Sequence, residues 1–269
     1  MRRLAATADR VIAPIVLFVL FYVATLIVAT WLRFPFQQWT GLIAVTVATV
    51  FTIALLERGQ WDLGLFVRPA TALRDFALGS LWGGVLIAVC GLIVILTTAV
   101  RHGPGRGFPW GELALVFVPA VLHEELLFRG YPFQKLAAFN RNFAVFFVAL
   151  VFAGLHANNS SVTPLALVNI FLGGVLLGLA YLRYRRLWFP IGLHLAWNLM
   201  TGPILGHEVS GYQGFETLLI ESGEGPWWLS GGEFGIEGSV WMTAVEIAAI
   251  ALLWRASQWI DRRNTAAAI

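Results

Sequence analysis

His123-Glu124-Glu125-Leu126-Leu127-Phe128-Arg129 sets two adjacent carboxylates and a guanidinium into a stretch that is otherwise apolar. Glu125 and Arg129 are four residues apart, so on a helix they share a face and can pair. Glu124 lies about 100° further round the same helix and cannot use that guanidinium equally. A division of labour follows: Arg129 holds one carboxylate ionised, and the other is left to exchange protons. Two further groups share the same spacing, Phe152 with His156 and His194 with Asn198. A lone histidine in a helix is more often a hydrogen-bonded structural residue than a ligand. Ionisable groups at membrane depth, however, cost several kcal/mol unless paired, so their recurrence on apolar segments marks a functional site.

A carboxylate, two imidazoles and an amide, with no serine or cysteine nucleophile beside them, suit the activation of water. Glu124 as general base would take the proton, and His and Asn would donate to the oxyanion of a tetrahedral intermediate. The alternative is a Zn2+ ion held by Glu124, His156 and His194. The helical zinc motif H-E-x-x-H is absent, because position 127 is Leu. Cofactor expectations therefore stand at none or Zn2+. Cys90, the single cysteine, lies in an apolar run. It excludes an internal disulfide and a thiolate cluster, and is expected to be inert packing.

The elements that must position these groups are helices in lipid. The chain has 269 residues, 58% hydrophobic and 12% charged, and a soluble domain carries about 25% charged residues. Apolar segments fall at roughly 11–31, 40–56, 76–100, 111–137, 143–158, 165–182, 187–203 and 239–259. They predict an all-α, polytopic transmembrane bundle, a single integral membrane domain over 1–269 with its motif-bearing core at about 111–203. The first run is read as a retained span rather than a cleaved signal, since no small-x-small site follows it.

With the N-terminus cytoplasmic, fourteen of the eighteen Lys and Arg residues fall in inside segments, including Arg2, Arg3 and the run Arg183, Arg185 and Arg186. Arg33, Arg101 and Arg106 fall outside, and Arg129 within a span. That asymmetry predicts eight spans with both termini inside. The net charge of +3 is spread over the ends of apolar runs, which argues against nucleic acid as a partner and for membrane lipid.

Depth then brings the three groups together. Glu124 stands about 15 residues before the polar turn near Phe139–Asn142 and His156 about 15 after it, so at about 1.5 Å per residue both sit ~20 Å from that turn. His194 and Asn198 descend on the seventh segment from the same side. His123 either lines the resulting cavity or hydrogen-bonds a neighbour. Asn158, Asn159 and Asn169 are expected as polar lining near His156. The longest outside connection, 204–238, carries six Glu and no Lys or Arg. It is expected to be a solvated acidic loop resting Trp227 and Trp228 at the interface, with a substrate lid as the sharper alternative. His102 and His207, in outside loops, are expected to be solvated.

E-E-x-x-x-R at Glu124, Glu125 and Arg129, F-x-x-x-H at Phe152 and His156, and H-x-x-x-N at His194 and Asn198 resemble, in this order, the motifs of the CAAX protease/bacteriocin-processing (CPBP, or Abi) family. The topology is similar to that of the type II CAAX prenyl endopeptidases. The resemblance covers about 111–203. It implies an intramembrane endopeptidase with Glu124 as base, His156 assisting it in activating water, His194 and Asn198 stabilising the oxyanion, and Glu125 with Arg129 bracing the site. It leaves a glutamate mechanism and a metal-dependent one both open. The substrate implied is a membrane-associated, CAAX-like or lipidated protein or peptide, and the expected setting is the plasma membrane of a prokaryote. A non-catalytic bacteriocin-immunity or scaffold protein with the same fold, or a transporter, are the alternatives.

Overall fold

The structure is a computed structural model that describes residues 8–266. Its helices are α1 (Ala13–Trp31), α2 (Gln37–Leu56), α3 (Pro69–Thr97), α4 (Val118–Phe128), α5 (Tyr131–Phe139), α6 (Arg141–Leu155), α7 (Pro164–Tyr184), α8 (Trp188–Leu199) and α9 (Val240–Ala266). Each expected apolar segment contains helix. Among the described residues, Arg10–Trp31, Gln37–Leu56, Pro69–Thr97 and Pro164–Tyr184 are long and apolar enough to cross a membrane. α6 is a shorter apolar helix of 15 residues. The expectation of eight spans with both termini cytoplasmic rests on the charge pattern, and Arg2 and Arg3, which contribute to it, lie outside the described residues.

The fourth apolar segment is not one helix. It breaks between α4 and α5 at Gly130, where a Cβ would lie 2.1 Å from the Leu126 carbonyl oxygen. Pro132 in the first turn of α5 adds to the break, since proline has no N–H to offer the carbonyl four residues before it and its ring clashes there. This break leaves Arg129 just past the last helical residue of α4, as its C-cap. α6 opens on the Asn140 side chain, which accepts from the Phe143 amide at 3.0 Å. α7 opens on Thr163, which accepts from the Ala166 amide at 3.1 Å, followed by Pro164 where its missing N–H costs nothing.

α3 packs along α8, α6 on α7, α7 on α9 and α1 on α2, while α4 lies on α2 and reaches α8. The α3–α8 seam is the tightest. A Cβ on Gly79 would stand 2.1 Å from the Phe189 carbonyl oxygen, one on Gly83 2.2 Å from that of Leu193, and one on Gly192 2.2 Å from that of Phe76. Gly79 and Gly83 form a G-x-x-x-G face, the arrangement that lets membrane helices approach backbone to backbone where lipid removes the hydrophobic drive for association. At the head of the seam Asp75 is fully buried and pairs with Arg74 and Arg186. Arg186, which the sequence suggests as a simple topology anchor, thus has a structural partner. It fastens the start of α8 to α3.

At the other end of α2, Glu57 accepts from Tyr131 at 2.7 Å and pairs with Lys135 at 2.5 Å. Burial opposes ionisation of Glu57, and the contacts from Lys135 and Tyr131 outweigh it, holding the carboxyl below its usual range.

Two features depart from the all-helical, open-loop expectation. Strands β1 (Arg101–Pro104) and β2 (Leu219–Ser222) pair antiparallel, with His102 opposite Glu221. The pairing joins segments five helices apart in sequence, so no local periodicity announces it. His102 and His207 are also not solvated. His207 is 2% exposed and His102 half-buried, because the ribbon folds them against each other. Trp227 and Trp228 are exposed, in keeping with interfacial rings.

Replacing Gly83 by valine should overpack the α3–α8 seam and cost about 1–3 kcal/mol. Gly84→Ala, where a Cβ meets nothing within 4 Å, should be neutral. Thermal unfolding of the detergent-solubilised protein reads both.

Candidate functional site

The site begins with α4. Glu125 and Arg129 are each 0% exposed, and Arg129 Nη1 donates to Glu125 Oε1 at 3.0 Å. The second arm of the guanidinium reaches the Gly174 carbonyl on α7 at 3.3 Å, and its face lies 5.0 Å from the centre of the Phe152 ring on α6. The helix turn that brings these two residues together points Glu124 elsewhere, and Arg129 makes no ion pair with it.

Glu125 has a second partner. Its Oε1 accepts from His194 Nδ1 at 2.8 Å. An ionised carboxylate only accepts, so Nδ1 carries the proton. His194 Nε2 is thereby turned away from the ion pair, to 3.7 Å from Glu124 Oε2. His156, at the end of α6, is fixed in the same sense: Nδ1 donates to the Phe152 carbonyl at 2.7 Å, which leaves its Nε2 with the lone pair. Phe152 contacts both imidazoles, with ring centres 4.5 Å from His156 and 6.4 Å from His194.

Glu124, His156, His194 and Asn198 all line one cavity of about 560 Å³. Glu125 and Arg129 do not line it; they lie behind its wall. The six residues singled out in the sequence thus divide into four that face the cavity and two that hold one of the four. Of the other polar residues, Asn158, Asn159 and Asn169 line the same cavity. His123 does both things expected of it: it lines the cavity and hydrogen-bonds Tyr22 at 2.8 Å.

Among the described residues no three or more His, Cys, Asp or Glu side chains are placed to hold a metal ion. The candidate set Glu124, His156 and His194 shares a cavity without closing to ligand geometry, so the donors as arranged do not fit a three-ligand zinc site.

Sequence reading missed two carboxylates. Glu237 and Glu246 are buried and line the cavity. Glu237 accepts from Trp197 Nε1 at 2.6 Å, from the Ser210 amide at 2.5 Å and from Ser210 Oγ at 3.1 Å. Through these bonds the 204–238 connection is folded onto α8 as a roof, with Val209, Ser210, Gly211 and Tyr212 also lining the cavity. Glu246 stands in the apolar segment 239–259, and the criterion that selects Glu124, an ionisable group within a span, selects it too. Glu237 sits among the acidic residues of a loop, where nothing local distinguishes it.

Residues 106–200 match the family of Rce1-like proteins, described as type II CAAX prenyl endopeptidase Rce1-like. The matched segment contains all three motifs, and it bears out the resemblance read from them. No curated protein matches the chain.

Arg129→Ala should strand the buried Glu125 carboxylate and destabilise the protein by about 3–5 kcal/mol. Replacing Glu125 and Arg129 together with Gln and Met should recover part of that loss, since no buried charge is then unpaired. Thermal unfolding of the single and double variants in detergent measures the difference.

Proposed function

We propose that this chain is an intramembrane endopeptidase that hydrolyses a peptide bond of a membrane-associated, CAAX-like or lipidated protein or peptide, using water activated by Glu124. The observation that carries the reading is the opening of Glu124, His156, His194 and Asn198 onto one cavity in the segment that matches a peptidase family. The charge pattern favours an eight-span arrangement with both termini cytoplasmic, and the setting proposed is the plasma membrane of a prokaryote.

In this mechanism the Glu124 carboxylate takes a proton from water as the oxygen adds to the scissile carbonyl. His156 Nε2, free because Nδ1 is committed to the Phe152 carbonyl, accepts the second water hydrogen bond and orients the attack. The oxyanion is met by Asn198 and by His194. With Nδ1 committed to Glu125, His194 Nε2 can donate only when the ring is an imidazolium. Glu124, now protonated, returns the proton to the leaving amine as the tetrahedral intermediate collapses. Glu125 and Arg129 are positioning residues that act through His194. No step is routed through a metal ion.

The test is cleavage of a fluorogenic, lipidated C-terminal peptide by detergent-purified protein, with and without a strong chelator. Glu124→Gln should lower kcat by about 10²–10⁴, and His194→Ala or Asn198→Ala by about 10²–10³, each leaving a folded protein. Wild-type turnover should survive the chelator. Retained turnover in Glu124→Gln removes the proposed base. Absence of turnover by wild type across lipidated and unlipidated peptides supports the immunity or scaffold alternative instead.

A further inference from the structure

A second histidine cluster lies in the connections that roof the cavity, outside the proposed proteolytic machinery. His102 on β1 and Glu221 on β2 are directly opposite in the ribbon, so their side chains leave the same face of the sheet. His207, from the turn that follows α8, packs on that face. Its Nδ1 donates to Glu221 Oε2 at 2.5 Å. The proton is therefore on Nδ1, and the Nε2 lone pair points away from Glu221. It points at His102, whose Nε2 is 3.2 Å away.

From this geometry we infer that His102 and His207 form a binding site for a divalent transition-metal ion, with Zn2+ the best match. Two ligands on a tetrahedral Zn2+, at Zn–N bonds of about 2.0–2.1 Å, stand roughly 3.3–3.4 Å apart. The two Nε2 atoms, 3.2 Å apart, stand just inside that spacing. Two imidazoles on such an ion also have ring centres roughly 5 Å apart, and here they are 5.0 Å apart. Glu221 supplies the third mark of such a site, a carboxylate that fixes the tautomer of a ligating histidine from behind.

Two protein nitrogens leave the remaining coordination positions to water, so affinity is lower than in closed four-ligand sites. The consequence is mechanical. An ion here clips the connection after α3 to the connection after α8, and the latter carries Val209 to Tyr212 into the cavity wall. Metal binding would thus stiffen the roof without touching Glu124.

The experiment uses full-length, untagged protein in detergent, stripped with chelator and titrated with Zn2+, Ni2+ or Mg2+ while thermal unfolding is followed. The expected result is a saturable rise in Tm with Zn2+ and Ni2+ and none with Mg2+, at one ion per chain by calorimetry. His102→Gln, at a half-buried ribbon position, should abolish the rise while leaving the apo Tm close to wild type. Glu221→Gln should weaken Zn2+ binding about 10–100-fold. Glu124→Gln and His156→Gln should keep the full wild-type shift, which separates this site from the proteolytic one whatever the outcome of the cleavage assay. No saturable shift in wild type shows that the two rings share only an N–H···N hydrogen bond, and overturns the inference. A shift that persists unchanged in His102→Gln assigns the ion elsewhere, and overturns it equally.

Discussion

Arg129 is a full positive charge with no contact to solvent, and the arrangement around it is what such a charge requires. Glu125 neutralises it, the Gly174 carbonyl takes its second arm, and the Phe152 ring covers its face. These partners come from α4, α7 and α6. A buried ion pair adds little net stability, because the desolvation of both ions offsets their attraction. Its effect is on uniqueness. Any register of these helices that separated the partners would leave a bare charge in a low-dielectric interior, so competing packings are penalised heavily. The same Glu125 oxygen also accepts from His194, which brings α8 under the constraint. One interaction thus sets the positions of four helices and the tautomer of the imidazole that faces Glu124.

The remaining scaffold delivers α8 to that point. Lipid gives helices no hydrophobic reason to associate, so close approach relies on dispersion and on polar contacts. The glycines at 79, 83 and 192 allow the backbones of α3 and α8 to touch, and Asp75 with Arg186 fixes the axial register at one end. His194 and Asn198 are therefore carried on a helix that can neither slide nor rotate. Glu57, Tyr131 and Lys135 hold α5 against the C-terminal end of α2. This anchors the chain directly after the break that follows Arg129.

The cavity is roofed on one side by a segment whose composition suggests open solvent. Glu237 is drawn inward by three donors from Trp197 and Ser210. Asn169 reaches from α7 to the carbonyls of Glu237 and Ser239 at 2.7 and 2.8 Å. Asn159 holds the Ser210 carbonyl at 2.8 Å. The roof is thus pinned to α7, α8 and the turn after α6.

By itself the sequence determined the solvent, the helices and many of the polar residues that line the cavity. Lipid forces backbone hydrogen bonds to close within each segment, so hydropathy alone located helix within each apolar run. Spacing of i, i+4 decided that Arg129 serves Glu125 and not Glu124, because helix geometry is local. Glu246 was within reach of the same criterion. Only the tertiary structure decided what depends on contacts between distant segments. These are the break at Gly130, the pairing of β1 with β2, the burial of His102 and His207, and the folding of Glu237 into the cavity. Each brings together residues from separate connections. A loop residue carries no periodicity to show which neighbour it will meet, so Glu237 among its acidic neighbours reads no differently from Glu233 until the chain is folded.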